Sequence, residues 1–164
     1  MHRYNGNGRG SHGESHDPKA EDFEGMFPLE EVLTDCAGKL RKFKIEHQEV
    51  ATGHAVEARE VGAERGGYEF RGYHPTHSDI ALGEVRLKMR RELSRKYIER
   101  DHGCWCPRLD ELRGRITMAD GAPAFVIDGH LLTLEEFGQL MCVHEGWEFH
   151  VRFDDKVDCR LRTG

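Results

Sequence analysis

Long apolar runs are missing from this sequence. No stretch approaches the roughly 20 residues that cross a bilayer as a helix, so no helical membrane span is expected. The opening residues Met1-His2-Arg3-Tyr4-Asn5-Gly6 lack the apolar stretch of a secretory signal. The five cysteines (Cys36, Cys104, Cys106, Cys142, Cys159) are odd in number and, one pair apart, too scattered for the disulfide framework of a small secreted domain. Together these absences lead to the expectation of a cytoplasmic chain with free thiols. Positive charge is also short, with 24 Lys and Arg against 30 Asp and Glu and a net charge of −6. That excludes a surface given over as a whole to nucleic acid or anionic lipid and leaves room only for local basic patches. A phosphate loop is absent, because the glycines of Gly6-Asn7-Gly8-Arg9-Gly10 have no strand before them and no helix after them. No serine or cysteine stands in a recognisable nucleophile setting. The paired acids Glu30-Glu31 and Glu135-Glu136 are accounted for by a strand edge and a helix N-terminus. No catalytic residue is assigned, and an enzyme is not the favoured reading.

What is present divides into a tail, a domain and a frayed end. Residues 1–22 alternate glycine with Asn, Ser, His and Arg and show no apolar period, so they cannot bury enough surface to offset their ordering entropy. They are expected to be disordered, and residues 156–164 to be a frayed C-terminus. Residues 23–155 are expected to form a single α+β domain: an antiparallel sheet with one long helix packed on it, followed by a hairpin, a short helix and a terminal strand. In Leu40 to Val50, Phe43, Ile45 and His47 alternate with charged or polar residues, the mark of a half-buried strand. Leu29 to Leu33, Ala55 to Val61 and Tyr68 to Tyr73, separated by glycine-bearing turns, complete a meander. Leu82, Val85, Met89, Leu93 and Tyr97 recur at three or four residues and predict a helix over 78–101, capped by Ser78 and stopped at Asp101-His102-Gly103. Arg113 to Met118 and Ala124 to Ile127 flank Ala119-Asp120-Gly121-Ala122-Pro123 as a hairpin. After a turn at Asp128-Gly129, Thr133 and Glu136 form a capping box that starts a helix running to about His144. Trp147, Phe149, Val151 and Phe153 alternate with Glu148, His150, Arg152 and Asp154 and predict the last strand, with Trp147 and Phe149 expected in the core beside Phe43, Ile45, Val85, Met89, Leu93, Phe137 and Leu140.

The strings Ile127-Asp128-Gly129, Leu134-Glu135-Glu136-Phe137-Gly138 and Glu145-Gly146-Trp147-Glu148-Phe149, together with the helix segment Met89-Arg90-Arg91-Glu92-Leu93, resemble an uncharacterised family of bacterial proteins known only as a domain of unknown function. The likeness covers residues 27–155. It implies no activity, substrate or catalytic residue.

Three function classes follow from the residues. A non-catalytic interaction or accessory module, bound to an unidentified protein or to itself, comes first. The alternative is nucleic-acid binding through the Arg-rich helix 78–101, with Arg86, Arg90, Arg91 and Arg95 as the phosphate contacts; the acids interleaved among them favour a solvated helix face instead. The third is zinc, the one cofactor considered, on His102, Cys104 and Cys106, because thiolate and imidazole are the ligands zinc prefers. One residue between the two cysteines is tighter than the usual structural-zinc spacing, and a connector with Trp105 docked on the core is the plainer account. His74 and His77, in the loop His74-Pro75-Thr76-His77, were weighed as a ligand pair or proton-transfer couple and read as solvated. No membrane partner is expected.

Overall fold

The apolar alternation of residues 40–50 builds the centre of the first sheet. In the computed structural model, which describes residues 25–63 and 65–154, β1 (Leu29–Thr34), β2 (Leu40–Val50), β3 (Gly53–Glu60) and β4 (Glu69–His74) pair antiparallel in the order of the chain. Residues 1–22, expected to be disordered, and 156–164, expected to be frayed, lie outside the described residues. Phe43 and Ile45 on β2, Val56 and Ala58 on β3 and Phe70 on β4 turn to one face and are buried. Helix α1 (Ser78–Leu93) lies across that face through Ala81, Leu82, Val85, Met89 and Leu93. Gly72 on β4 sets the distance of approach: a methyl group there would collide with the Ala81 carbonyl and come within 2.9 Å of Val85 Cγ2.

The long helix is shorter than its apolar stripe predicts. It ends at Ser94, whose N–H and Oγ donate to the Arg90 and Arg91 carbonyls. Ser78, expected to cap the helix, is instead its first residue and is buried, His77 holding the N-cap position. Tyr97 does continue the stripe in sequence, but it is buried in a second core. Ile98–Asp101 forms β5, which pairs with β6 (Cys104–Pro107). His102 and Gly103, read as a helix stop, are the two central residues of this hairpin, both at left-handed φ (+46° and +86°) as a tight two-residue turn demands. The same device at Asp120-Gly121 and Asp128-Gly129 closes the three-stranded sheet β7 (Arg115–Ala119), β8 (Ala122–Ile127), β9 (His130–Thr133). The hairpin is therefore tighter than a five-residue turn, with Ala122 and Pro123 inside β8.

Helix α2 (Leu134–Met141) starts at the expected capping box: Glu136 N–H donates to Thr133 Oγ1 at 3.1 Å and Thr133 N–H donates to the Glu136 carboxylate at 2.8 Å. Replacing Thr133 with Ala should cost about 1 kcal/mol, read as a lower urea midpoint at unchanged m-value. Leu140 and the half-buried Phe137 carry α2 onto the second core, where Tyr97, Ile98, Ile127 and Leu132 are buried. A 3-10 turn, Cys142–His144, follows.

The terminal strand is not formed. Residues 147–154 have no strand partner, and the two rings expected in the core are in solvent, Trp147 62 % and Phe149 84 % exposed. Alternation makes a strand only where an edge receives it, because an unpaired strand leaves its backbone groups without ladder bonds.

The chain is thus α+β, with antiparallel sheets, one longer helix and one short one. Among the described residues no helix is long and apolar enough to cross a membrane.

Candidate functional site

Two of the basic residues of α1, Arg86 and Lys88, are tied to the sheet. Arg86 donates to Glu31 of β1, at 2.7 Å through Nε. Lys88 bonds the Arg71 carbonyl and Glu84. Arg91 pairs with the neighbouring Glu92 at 3.1 Å. Arg90 and Arg91 occupy the last helical turn, where cations offset the negative end of the helix dipole. Arg90, Arg91 and Arg95 are exposed near this end; Arg86 sits a turn away in its ion pair. Arg90 also lines a shallow cleft of about 360 Å3 with Leu33, Cys36 and Leu93.

The candidate zinc residues sit on the β5–β6 hairpin. His102 is at the turn, almost fully exposed and 2.7 Å from Asp101. Cys104 and Cys106 alternate with Trp105 along β6, so both thiols stand on the face opposite the indole. Trp105 packs on the second core, 4.8 Å from the His130 ring and under the Arg100 guanidinium at 5.0 Å. Among the described residues no three His, Cys, Asp or Glu side chains gather to hold a metal ion. Cys36, Cys104, Cys106 and Cys142 are free thiols.

Two groupings escape a residue-by-residue reading. The first is a row of imidazoles where the first sheet meets the start of α1. His47 Nε2 and His54 Nδ1 are 3.0 Å apart, His54 faces His74 across the β3–β4 ladder, and His74 Nδ1 accepts from the His77 N–H at 3.0 Å. Inward alternation on β2 placed His47 on the core face, but only the register set by the tight β2–β3 turn brings His54 beside it. The second is a seam between the two cores. Arg41 bonds both Asp35 (3.0 Å) and Glu60 (2.8 Å), Glu60 accepts from the Tyr68 N–H, and the Tyr68 ring lies against Gly129. Gly67 N–H donates to the Gly129 carbonyl at 2.8 Å, while Glu69–Arg115 and Arg65–Asp120 ion pairs flank it. Burial, reinforced by the Asp128 charge, pushes the Tyr68 hydroxyl well above the usual tyrosine range, so it stays neutral. Partial burial, helped by the Arg41 charge, holds the His130 imidazole below its ordinary value. Asp128 accepts from both Tyr97 N–H (2.7 Å) and Ile98 N–H (2.9 Å), fixing the segment that joins α1 to β5.

The exposed apolar surface is concentrated beyond α2. Trp147, Phe149, Val151 and Phe153 are all more than half exposed, and Trp147 is held only at its start, by an N–H bond to the His144 carbonyl and an edge contact with that ring. Among the described residues β7 is an edge strand bonded to β8 alone. Its Ile116 and Met118 share the face that α2 covers over β8 and β9, since Ile116 lies opposite Phe125 and Phe125 stacks on Phe137. Beyond the reach of α2 they are 57 % and 65 % exposed.

Two family models match the chain. Residues 26–94 match one described as a domain of unknown function (DUF7686), and residues 96–158 match another, likewise a domain of unknown function (DUF7713). The likeness drawn over residues 27–155 is thus shared between two models that meet at the end of α1. No curated protein and no solved structure matches the chain.

Proposed function

We propose that this chain, a pairing of two domains of unknown function to which no activity attaches, is a non-catalytic interaction or accessory module working in the cytoplasm. The observation that carries the reading is the exposed alternating segment Trp147 to Phe153, with Ile116 and Met118 of the edge strand β7 likewise uncovered. Large apolar side chains exposed together along one segment are what binding sites present, whereas ordinary solvated faces carry them singly. Four unpaired thiols agree with a reducing compartment. The Arg-rich helix and the Cys104–Cys106 hairpin gain less support: Arg86 and Arg91 are held in ion pairs with Glu31 and Glu92, and among the described residues no three metal-ligating side chains gather at the hairpin.

Replacing Phe149 and Phe153 with Ser tests it. In dilute solution the double variant should unfold within about 0.5 kcal/mol of the wild type, as surface changes do, while losing most of its binding of an apolar fluorescent dye. A large loss of stability would mean that the rings serve the chain's own core, and the reading would fall.

A further inference from the structure

Among the described residues the segment 147–153 has the side-chain period of a strand and no ladder to join, and β7 has a free edge and an apolar face with Ile116 and Met118 uncovered. Each lacks what the other has. In the chain's own fold the two do not pair, so the complement is supplied by another molecule. We propose that residues 147–153 of one copy add as a strand to the free edge of β7 in a second copy, and the reverse, closing a two-fold homodimer. This rests on the interaction-module reading and names its partner.

Three features favour a second copy. Donor and acceptor are on the same chain, so two copies satisfy both sites reciprocally, the self-complementary arrangement that a two-fold axis requires. Edge strands with apolar residues are natural templates for strand addition, main-chain bonds supplying affinity and alternate side chains specificity. The area is also sufficient. Aromatic side chains bury about 150–250 Å2 each. At the present exposures of Trp147, Phe149 and Phe153, the rings offer on the order of 400–500 Å2 per copy. Doubling that for the reciprocal contact, with Ile116, Met118 and Val151 added, brings the total to about the 1,000 Å2 that a specific interface needs.

Sedimentation of the full chain across about 1–100 µM should show a concentration-dependent dimer. Phe149→Glu with Phe153→Glu removes the donor, and Ile116→Lys with Met118→Lys removes the acceptor. Each double variant should weaken dimerisation by about a hundredfold or more. Mixing the two should restore a heterodimer held by the one intact contact, which pairing between two 147–153 segments could not do. A wild-type chain that stays monomeric, or a dimer indifferent to both variants, overturns the proposal. Chymotrypsin then separates the two readings. A monomer cut rapidly at Phe149 and Phe153 leaves the segment open to another partner and the module reading intact. A monomer resistant there has covered the segment itself, and both readings fall together.

Discussion

Asp128→Ala should destabilise the chain by about 3 kcal/mol, measured by urea unfolding. The carboxylate is 8 % exposed and its Oδ2 accepts from two consecutive backbone N–H groups, Tyr97 and Ile98. Hydrogen bonds to a charged acceptor contribute about 1.5–3 kcal/mol each, and a truncation leaves both donors buried and unsatisfied. Alanine also tolerates poorly the left-handed backbone of this position, φ +50°. Asp128→Asn keeps an acceptor and a side chain suited to that conformation, so about 1 kcal/mol or less should be lost. The two also differ in pH dependence. Burial raises the Asp128 carboxyl above its ordinary value of 3.8, against the opposing pull of the two N–H bonds. The folded chain therefore holds this proton at pH values where the unfolded chain has released it. That contribution to stability is complete below the unfolded value and is lost as pH rises through the folded one. Asp128→Asn should lack this decline. Parallel curves for the wild type and Asp128→Asn just above the ordinary carboxylate range would show that the carboxyl does not titrate as its burial requires.

Gly72→Val should cost about 3 kcal/mol, at the upper end of what overpacking exacts. At Gly72 α1 approaches the sheet so closely that an added Cβ meets the Ala81 carbonyl, a backbone atom that cannot rotate away. The helix would have to lift from β4, loosening Ala81 and Val85 together, both now fully buried. Gly72→Ala should show the same effect at smaller size. Far-ultraviolet circular dichroism should report retained secondary structure with a thermal midpoint lowered by several degrees. A tolerated valine would mean that α1 is not seated where the sheet places it.

Much of the first half was legible because its signals are local. Phe43 and Ile45 alternate with lysines and glutamates, and a sheet whose neighbours follow one another in sequence needs no long-range information to order. The capping box at Thr133 was legible for the same reason, its two hydrogen bonds spanning three residues. The end of α1 was misread because Tyr97 keeps the helical period by coincidence, while the carboxylate that decides its backbone lies 31 residues away in Asp128. The β5–β6 hairpin was hidden behind His102-Gly103, since the pairs that signal a two-residue hairpin turn are Asn-Gly and Asp-Gly. Trp147 to Phe153 shows the converse: the period is real, but a strand also needs a neighbour, and no residue within the segment records whether one exists. The contact of His47 with His54 depends on register, which composition does not carry.

The pairing order of the sheets bears on how the chain emerges from the ribosome. β1 to β4 pair in succession, β5 with β6, and β7 to β9 in succession again, so that within each sheet a strand bonds the one made before it. No early strand has to wait unpaired for a distant later one, so the entropy of closing long loops is largely avoided. The first core is complete once Leu93 has left the exit tunnel. It can therefore close during synthesis, with the Tyr68 ring and the Gly67 N–H already placed for the Asp128-Gly129 turn to arrive.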